Sequence, residues 1–172
     1  ILGLGTLGTA CGIALKRLGF NVRGWSRREK RVDGILCFYG DEQIDSSLMD
    51  ADIVVLLLPD TPLTQNILNQ HTLNLLKRGA FVLNPGRGPL IDDDALLAAL
   101  ASGQIEHATL DVFRIEPLPK NHQYWSNNKV TVIPHKASET RPKTASQVIA
   151  MNIKRAENGQ ELLYLVDRDN GY

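Results

Sequence analysis

The 172-residue chain has only two cysteines, Cys11 and Cys37, and no surplus of either charge, with 19 Lys+Arg against 19 Asp+Glu. Two isolated cysteines make no disulfide framework and have no metal-ligand spacing. They read as small core residues, and a reducing cytoplasm is the expected compartment. The absence of a basic excess argues against a nucleic-acid partner. No apolar run approaches the roughly 20 residues a membrane helix needs. The longest run, Ile53-Val54-Val55-Leu56-Leu57-Leu58, has the length of a buried strand. Repeats, low-complexity tracts and linkers are also missing, so the chain reads as one globular domain of ordinary composition.

Apolar runs alternate with amphipathic stretches from end to end. That is the pattern of βαβ units and of a doubly wound, mostly parallel α/β sheet. Strands are expected at 21–25, 35–38, 53–58, 80–83, 108–112 and 130–133, with 53–58 buried on both faces as a central parallel strand. Helices are expected at 6–18, 41–49, 71–76, 92–100 and 142–157. The first should bury a face of Leu7, Ala10, Cys11, Ala14, Leu15 and Leu18. Asp92-Asp93-Asp94 reads as a cap and dipole partners for the fourth helix rather than a metal site. Ser138 or Thr140 reads as the cap of the last. The chain opens at Ile1, two residues before a glycine-rich loop. A strand feeding such a loop normally runs about 5 residues. The first strand is therefore read as cut, in the C-terminal part of a longer protein.

That loop, Gly3-Leu4-Gly5-Thr6-Leu7-Gly8, has the spacing of a dinucleotide fingerprint. Gly3 allows the tight turn, Gly5 lets the backbone approach a pyrophosphate, and Gly8 lets the helix pack close to the sheet. The amides at the start of the following helix, from Thr6 and Leu7 onward, would face the phosphates. The second strand ends in Ser26, Arg27 and Arg28, where an NAD site usually places an acid for the ribose 2′-hydroxyl. A hydroxyl and guanidinium groups suit a 2′-phosphate instead, which favours NADP with NAD still possible.

Three further residues follow later strands. Arg87 lies in Asn84-Pro85-Gly86-Arg87-Gly88, Glu116 precedes Pro117, and His135 follows Pro134. An arginine can hold a carboxylate with two hydrogen bonds, and a histidine exchanges a proton near neutral pH. Strand ends of a doubly wound sheet face the ligand crevice. The three together suggest hydride transfer to or from a 2-keto or 2-hydroxy acid. His71, His107 and His122 stand in contexts with no such company.

These motifs, with Leu58-Pro59-Asp60-Thr61-Pro62-Leu63-Thr64 and Leu110-Asp111-Val112-Phe113, resemble those of the D-isomer-specific 2-hydroxyacid dehydrogenases in order and spacing. Within that family, Trp25-Ser26-Arg27, Thr140-Arg141-Pro142 and the ending from Val166 to Tyr172 look closest to the bacterial glyoxylate/hydroxypyruvate reductase A group. The resemblance implies a Rossmann-like NAD(P)-binding domain over 1–158, with a tail at 159–172 returning toward a substrate domain outside the sequence. It makes Arg87 the holder of substrate carboxylate and carbonyl oxygen, His135 the proton donor, and Glu116 the residue that orients and charges His135. It places Asp111 near the nicotinamide, and Leu58, Pro59, Pro85 and Gly86 along the cofactor. Pro85 departs from the pattern by removing a backbone donor. The implied reaction is NADPH-dependent reduction of glyoxylate or hydroxypyruvate by a homodimer. The alternatives are an NAD-dependent relative acting on phosphoglycerate or lactate, and a dinucleotide-sensing module of the corepressor type.

Overall fold

Every strand pairing among the described residues, 1–168 of this computed structural model, is parallel. One ladder joins β1 (Arg23–Ser26) to β2 (Leu36–Tyr39). The other runs in the order β3 (Ile53–Val55), β4 (Ala80–Asn84), β5 (Ile105–Leu110) and β6 (Val130–Val132). Leu2, the stub of the first strand, closes the gap with bridges to Trp25 on one side and Leu56 on the other. Its amide donates to Val55 O at 2.8 Å, and its carbonyl accepts from Leu57 N at 2.8 Å. Later strands therefore spread both ways from Leu2, which is the switch point where doubly wound sheets bind ligands.

Except from β1 to β2 and from β5 to β6, helices supply the crossovers: α1 (Thr6–Arg17), α2 (Ile44–Leu48), α3 (Gln70–Leu75) and α4 (Asp93–Ser102). The core lies between the sheet and α3 and α4. Leu2, Val54, Leu56, Val82 and Ala108 from the sheet meet Leu73, Leu96 and Leu100, all 2% exposed or less. The Val and Leu side chains among them each contribute about 1.5–3 kcal/mol on burial. Capping sets the ends. Asn69 accepts from the His71 and Thr72 amides at the start of α3, and Thr72 returns a bond to the Asn69 amide. Asp92 accepts from Ala95 N at 3.1 Å to start α4, and Gly103, at φ 72°, ends it. The expected acidic cap is thus present, and the described residues hold no cluster suited to a metal.

Several expectations need correction. The face of α1 was expected to bury Leu7, Ala10, Ala14 and Leu18, but those four are exposed, Leu18 at 75%. The helix packs through Gly8 and Gly12, with Cys11 and Leu15 half-buried. A Cβ on Gly12 would lie 2.7 Å from Ile35 Cδ1, so absence of a side chain rather than hydrophobicity chose the contact face. Next, β3 is not buried on both sides. Val54 and Leu56 are inside, whereas Ile53 is 42% exposed. Finally, β5 begins at Ile105 rather than at 108, because Gly103 ends α4 just before it.

Contacts divide the chain into two units, Ile1–His135 and Lys136–Tyr172. The second contains α5 (Pro142–Glu157), which starts on a proline at its first turn and gives way to Gly159 at φ 64°. Its N-cap is Arg141 with no side-chain bond, so neither Ser138 nor Thr140 caps it. Pro142 already removes an orphan donor there. Asn152 pairs with Leu163 through both its amide nitrogen and its oxygen, at 3.1 and 2.8 Å. Residues 169–172, which carry the last of the family-like ending, lie outside the described residues. No helix among the described residues is long and apolar enough to cross a membrane.

Candidate active site

Each glycine of the first loop has its own physical reason. Gly3 sits at φ 105°, and a Cβ there would stand 2.5 Å from Leu57 O. At Gly8 the same atom would be 1.8 Å from Gly3 O, so the first turn of α1 lies directly on the loop. Gly5 differs: its φ is −67°, and nothing lies within 4 Å of where its Cβ would be. The fold therefore does not need glycine at this position. A ligand coming down onto the loop would need it. Gly5 is also the N-cap of α1 and offers no side-chain bond, so no side-chain cap competes for the first-turn amides of Thr6, Leu7 and Gly8. Amides and helix dipole together make an anion cradle. These features fit a dinucleotide pyrophosphate.

Ser26 is 8% exposed and donates its hydroxyl proton to Arg28 O at 2.8 Å. In this arrangement Ser26 shapes the turn, while Arg28 and the partly buried Arg27 bring the charge. Sequence reasoning passed over Lys30, whose Nζ donates to Leu4 O at 2.5 Å. It ties the basic turn to the glycine loop and adds a third cation there. Its signal was only its place in a charge run, which alone reads as a solvated turn.

Leu58 and Pro59 follow the central strand half-buried, in a loop held by Thr64. The Thr64 hydroxyl donates to Pro59 O at 2.7 Å and accepts from Thr61 N at 2.9 Å. Across the sheet, the buried Asn84 forms a tight turn. Its side chain donates to Arg87 O at 2.9 Å and accepts from Gly86 N at 3.1 Å, with Pro85 between. Arg87 is exposed, its Nη1 donating to Gly86 O at 2.6 Å. Gly88 cannot carry a side chain: a Cβ would lie 1.9 Å from the Phe113 carbonyl carbon. The Arg87 loop thus presses on the backbone that leads to Glu116. Gly88→Ala is expected to cost about 1–3 kcal/mol through overpacking. Urea denaturation should show the loss; an unchanged midpoint would contradict this contact.

Glu116 and His135 meet as expected. His135 Nδ1 lies 2.7 Å from Glu116 Oε2. A carboxylate can only accept, so Nδ1 carries the proton and Nε2 is left for other chemistry. The other carboxylate oxygen, Oε1, accepts from Phe113 N at 2.9 Å. His135 has a left-handed backbone, φ 49°, held by bonds from its amide to Asp111 O at 2.9 Å and Ile133 O at 3.0 Å. Such a conformation is uncommon outside glycine and marks a position fixed by its surroundings. Asp111 is itself 3% exposed, and its amide donates to Asn84 O at 3.1 Å, which links the ends of β4, β5 and β6.

Burial works against ionisation of Glu116, but the Phe113 amide, the His135 bond and charge and the Arg87 charge outweigh it, holding the carboxyl below its ordinary 4.5. A depressed folded-state value stabilises the fold above the unfolded value, and this contribution is lost as pH falls through the folded one. The thermal-stability gap between wild type and Glu116→Gln should therefore be full at pH 6 and above, and should shrink on acidification below about 4.5. A gap independent of pH would contradict the assignment. The other histidines are occupied elsewhere: His71 with Asp45 at 2.8 Å and His107 with Thr131 at 2.9 Å. His122 accepts from Tyr124 N at 3.2 Å.

The chain is similar to known proteins in sequence and fold. Residues 1–137 match the family described as D-isomer specific 2-hydroxyacid dehydrogenase, NAD binding domain. The whole chain is 45% identical to a glyoxylate/hydroxypyruvate reductase A of Serratia proteamaculans and spans 55% of its length. A D-isomer specific 2-hydroxyacid dehydrogenase from Xanthobacter autotrophicus Py2, solved with NADPH and MES, is 48% identical. It superposes with a TM-score of 0.96 over 99% of this chain and 71% of its own. An NADPH-dependent glyoxylate/hydroxypyruvate reductase from Sinorhizobium meliloti, solved with NADP and sulfate, gives 0.94 at 34% identity, over 99% of this chain and 55% of its own.

Proposed function

Because the chain belongs to the D-isomer specific 2-hydroxyacid dehydrogenase family, whose NAD-binding domain it carries, we propose that the whole protein reduces a small 2-keto acid with NADPH. Glyoxylate and hydroxypyruvate are the substrates proposed, giving glycolate and glycerate. The observation that carries the reading is the 2.7 Å Glu116–His135 pair at strand ends on the side of the sheet where the glycine loop opens. The similarity to reductases named for these two acids supports the substrate class. The two NADP(H)-bound relatives and the cations Arg27, Arg28 and Lys30 support NADPH over NADH. Assembly as a homodimer in the cytoplasm is part of the same proposal.

In the reaction, Arg87 holds the substrate carboxylate and draws on its carbonyl oxygen, where negative charge develops. NADPH, when bound, would supply the hydride that the carbonyl carbon accepts. His135 gives the Nε2 proton to the carbonyl oxygen, so the keto acid gains one hydride and one proton and leaves as the hydroxy acid. Glu116 keeps its hydrogen bond to Nδ1 throughout and so fixes the ring's orientation and tautomer. Gly3, Gly5, Thr6, Leu7 and Gly8 would hold the pyrophosphate, with Leu58, Pro59, Pro85, Gly86 and Asp111 bordering the path toward the nicotinamide end.

The test is to follow NADPH absorbance with the full-length protein and glyoxylate, hydroxypyruvate, 3-phosphohydroxypyruvate or pyruvate in turn. Oxidation with the first two, and little with the others, is the expected result. Turnover confined to the phosphorylated acid or to pyruvate would move the protein to another specificity within the family. Tight cofactor binding with no turnover on any keto acid would favour the sensing module.

A further inference from the structure

We propose that Arg114 is a positioning residue that locks the Arg87 loop to the Glu116 loop, so that the carboxylate clamp and the proton-donor pair are held in register. This rests on the functional reading above for its meaning, but its structural part stands by itself. Arg114 lies two residues before Glu116 and one after Phe113, whose amide holds Glu116 Oε1. Its guanidinium reaches away from that loop into the segment that follows Arg87. Nη2 donates to Ile91 O and to Asn66 Oδ1, and lies 3.4 Å from Pro89 O. Nε stands 3.8 Å from Asp93 Oδ2 at the start of α4. One planar fork thus serves three acceptors on Arg87's own loop or just beyond it, plus one on the loop after β3.

The segments it joins are already in close contact. Gly88 abuts the Phe113 carbonyl, and Asn66 N donates to Pro89 O at 2.9 Å. Asn66 holds a left-handed backbone, φ 53°. The far end of the Glu116 loop is fastened at the same point. Tyr124 donates its hydroxyl to Asp93 Oδ1 at 2.9 Å, and His122 Nε2 lies 3.8 Å from Oδ2. Burial, with the Asp93 charge, raises the Tyr124 phenol well above its ordinary range, so it stays a donor. Asp93 therefore receives both ends of the excursion that carries Glu116, with Arg114 at one end and Tyr124 at the other. A lysine has one charged nitrogen and cannot meet the Nη2 acceptors while a second nitrogen faces Asp93, so Arg114→Lys should rescue only in part.

The deciding measurement is amide hydrogen exchange in this chain, comparing wild type, Arg114→Lys and Arg114→Met. Loss of several charge-assisted bonds should speed exchange at Phe113 by about tenfold or more in Arg114→Met, with an intermediate effect in Arg114→Lys. Val82, deep in β4, should be unchanged. Equal acceleration at Val82 and Phe113, or none at either, would overturn the proposal. In the full-length protein Arg114→Met should raise the keto-acid KM and lower kcat together, roughly tenfold each, with NADPH affinity kept within about twofold. If Phe113 responds and wild type still reduces no keto acid, the functional reading fails while the clasp stands. If wild type reduces keto acids and Arg114→Met only melts earlier with unchanged kinetics, the clasp is structural and the positioning role is wrong.

Discussion

His135→Ala in the full-length protein is expected to lower kcat on the keto acid by about 10²–10⁴-fold, the usual contribution of a placed general acid. NADPH affinity should stay within about twofold, because the ring is held by Glu116, and the His135 backbone by strand-end carbonyls, rather than by the glycine loop. The pairing matters as much as the ring. Glu116→Gln leaves a group that can still bond His135 but brings no charge to it, and it places an amide NH2 where Oε1 or Oε2 now accepts. A flipped amide would then face either the Phe113 N–H or the His135 Nδ1–H, donor against donor. Its kcat should therefore fall by at least about tenfold, less than for His135→Ala. Steady-state kinetics with NADPH saturating separates the two effects. A His135→Ala enzyme within threefold of wild type would remove His135 as proton donor, whatever Glu116 does.

The second large effect concerns Gly5. Its backbone conformation is open to any L-residue, and no atom lies within 4 Å of a Cβ there. Gly5→Val should therefore leave thermal stability nearly unchanged while reducing NADPH affinity by about tenfold or more, because the side chain occupies the approach of the pyrophosphate. Gly8→Ala should behave in the opposite way. Its Cβ would meet Gly3 O at 1.8 Å, so the loop and helix must separate and the fold itself loses stability. Calorimetric titration of Gly5→Val beside a melting curve distinguishes a glycine kept for a ligand from one kept for packing. A stable Gly5→Val with wild-type NADPH affinity would mean that no phosphate approaches the loop at that point.

Much of this was legible in the residues, for identifiable reasons. Gly3, Gly5 and Gly8 stand out because their spacing is tied to a turn that few other structures need, and the structure gives a different reason for each. Glu116 and His135 are 19 residues apart and could be linked only by assuming parallel strands whose ends share a side. β5 and β6 supply that arrangement. The outward face of α1 was not legible. Hydropathy marks Leu7, Ala10, Ala14 and Leu18, whereas the sheet accepts Gly8 and Gly12 because they have no side chain. Arg114 was invisible for another reason. Its acceptors come from residues 66, 89 and 91, and no local pattern brings those carbonyls and that amide together. The bond from the Ser26 hydroxyl to Arg28 O was not legible either, because it depends on the turn's backbone.

The central claim is that the glycine loop, with Arg27, Arg28 and Lys30 beside it, is an NADP site serving a proton-donor pair. The most direct measurement is a fluorescence titration of this chain with NADPH and with NADH under identical conditions. Saturable NADPH binding, about tenfold or more tighter than NADH, is the result the account predicts, since the 2′-phosphate adds at least one charge-assisted contact. NADH binding as tightly as NADPH, or no saturable binding of either, would contradict it.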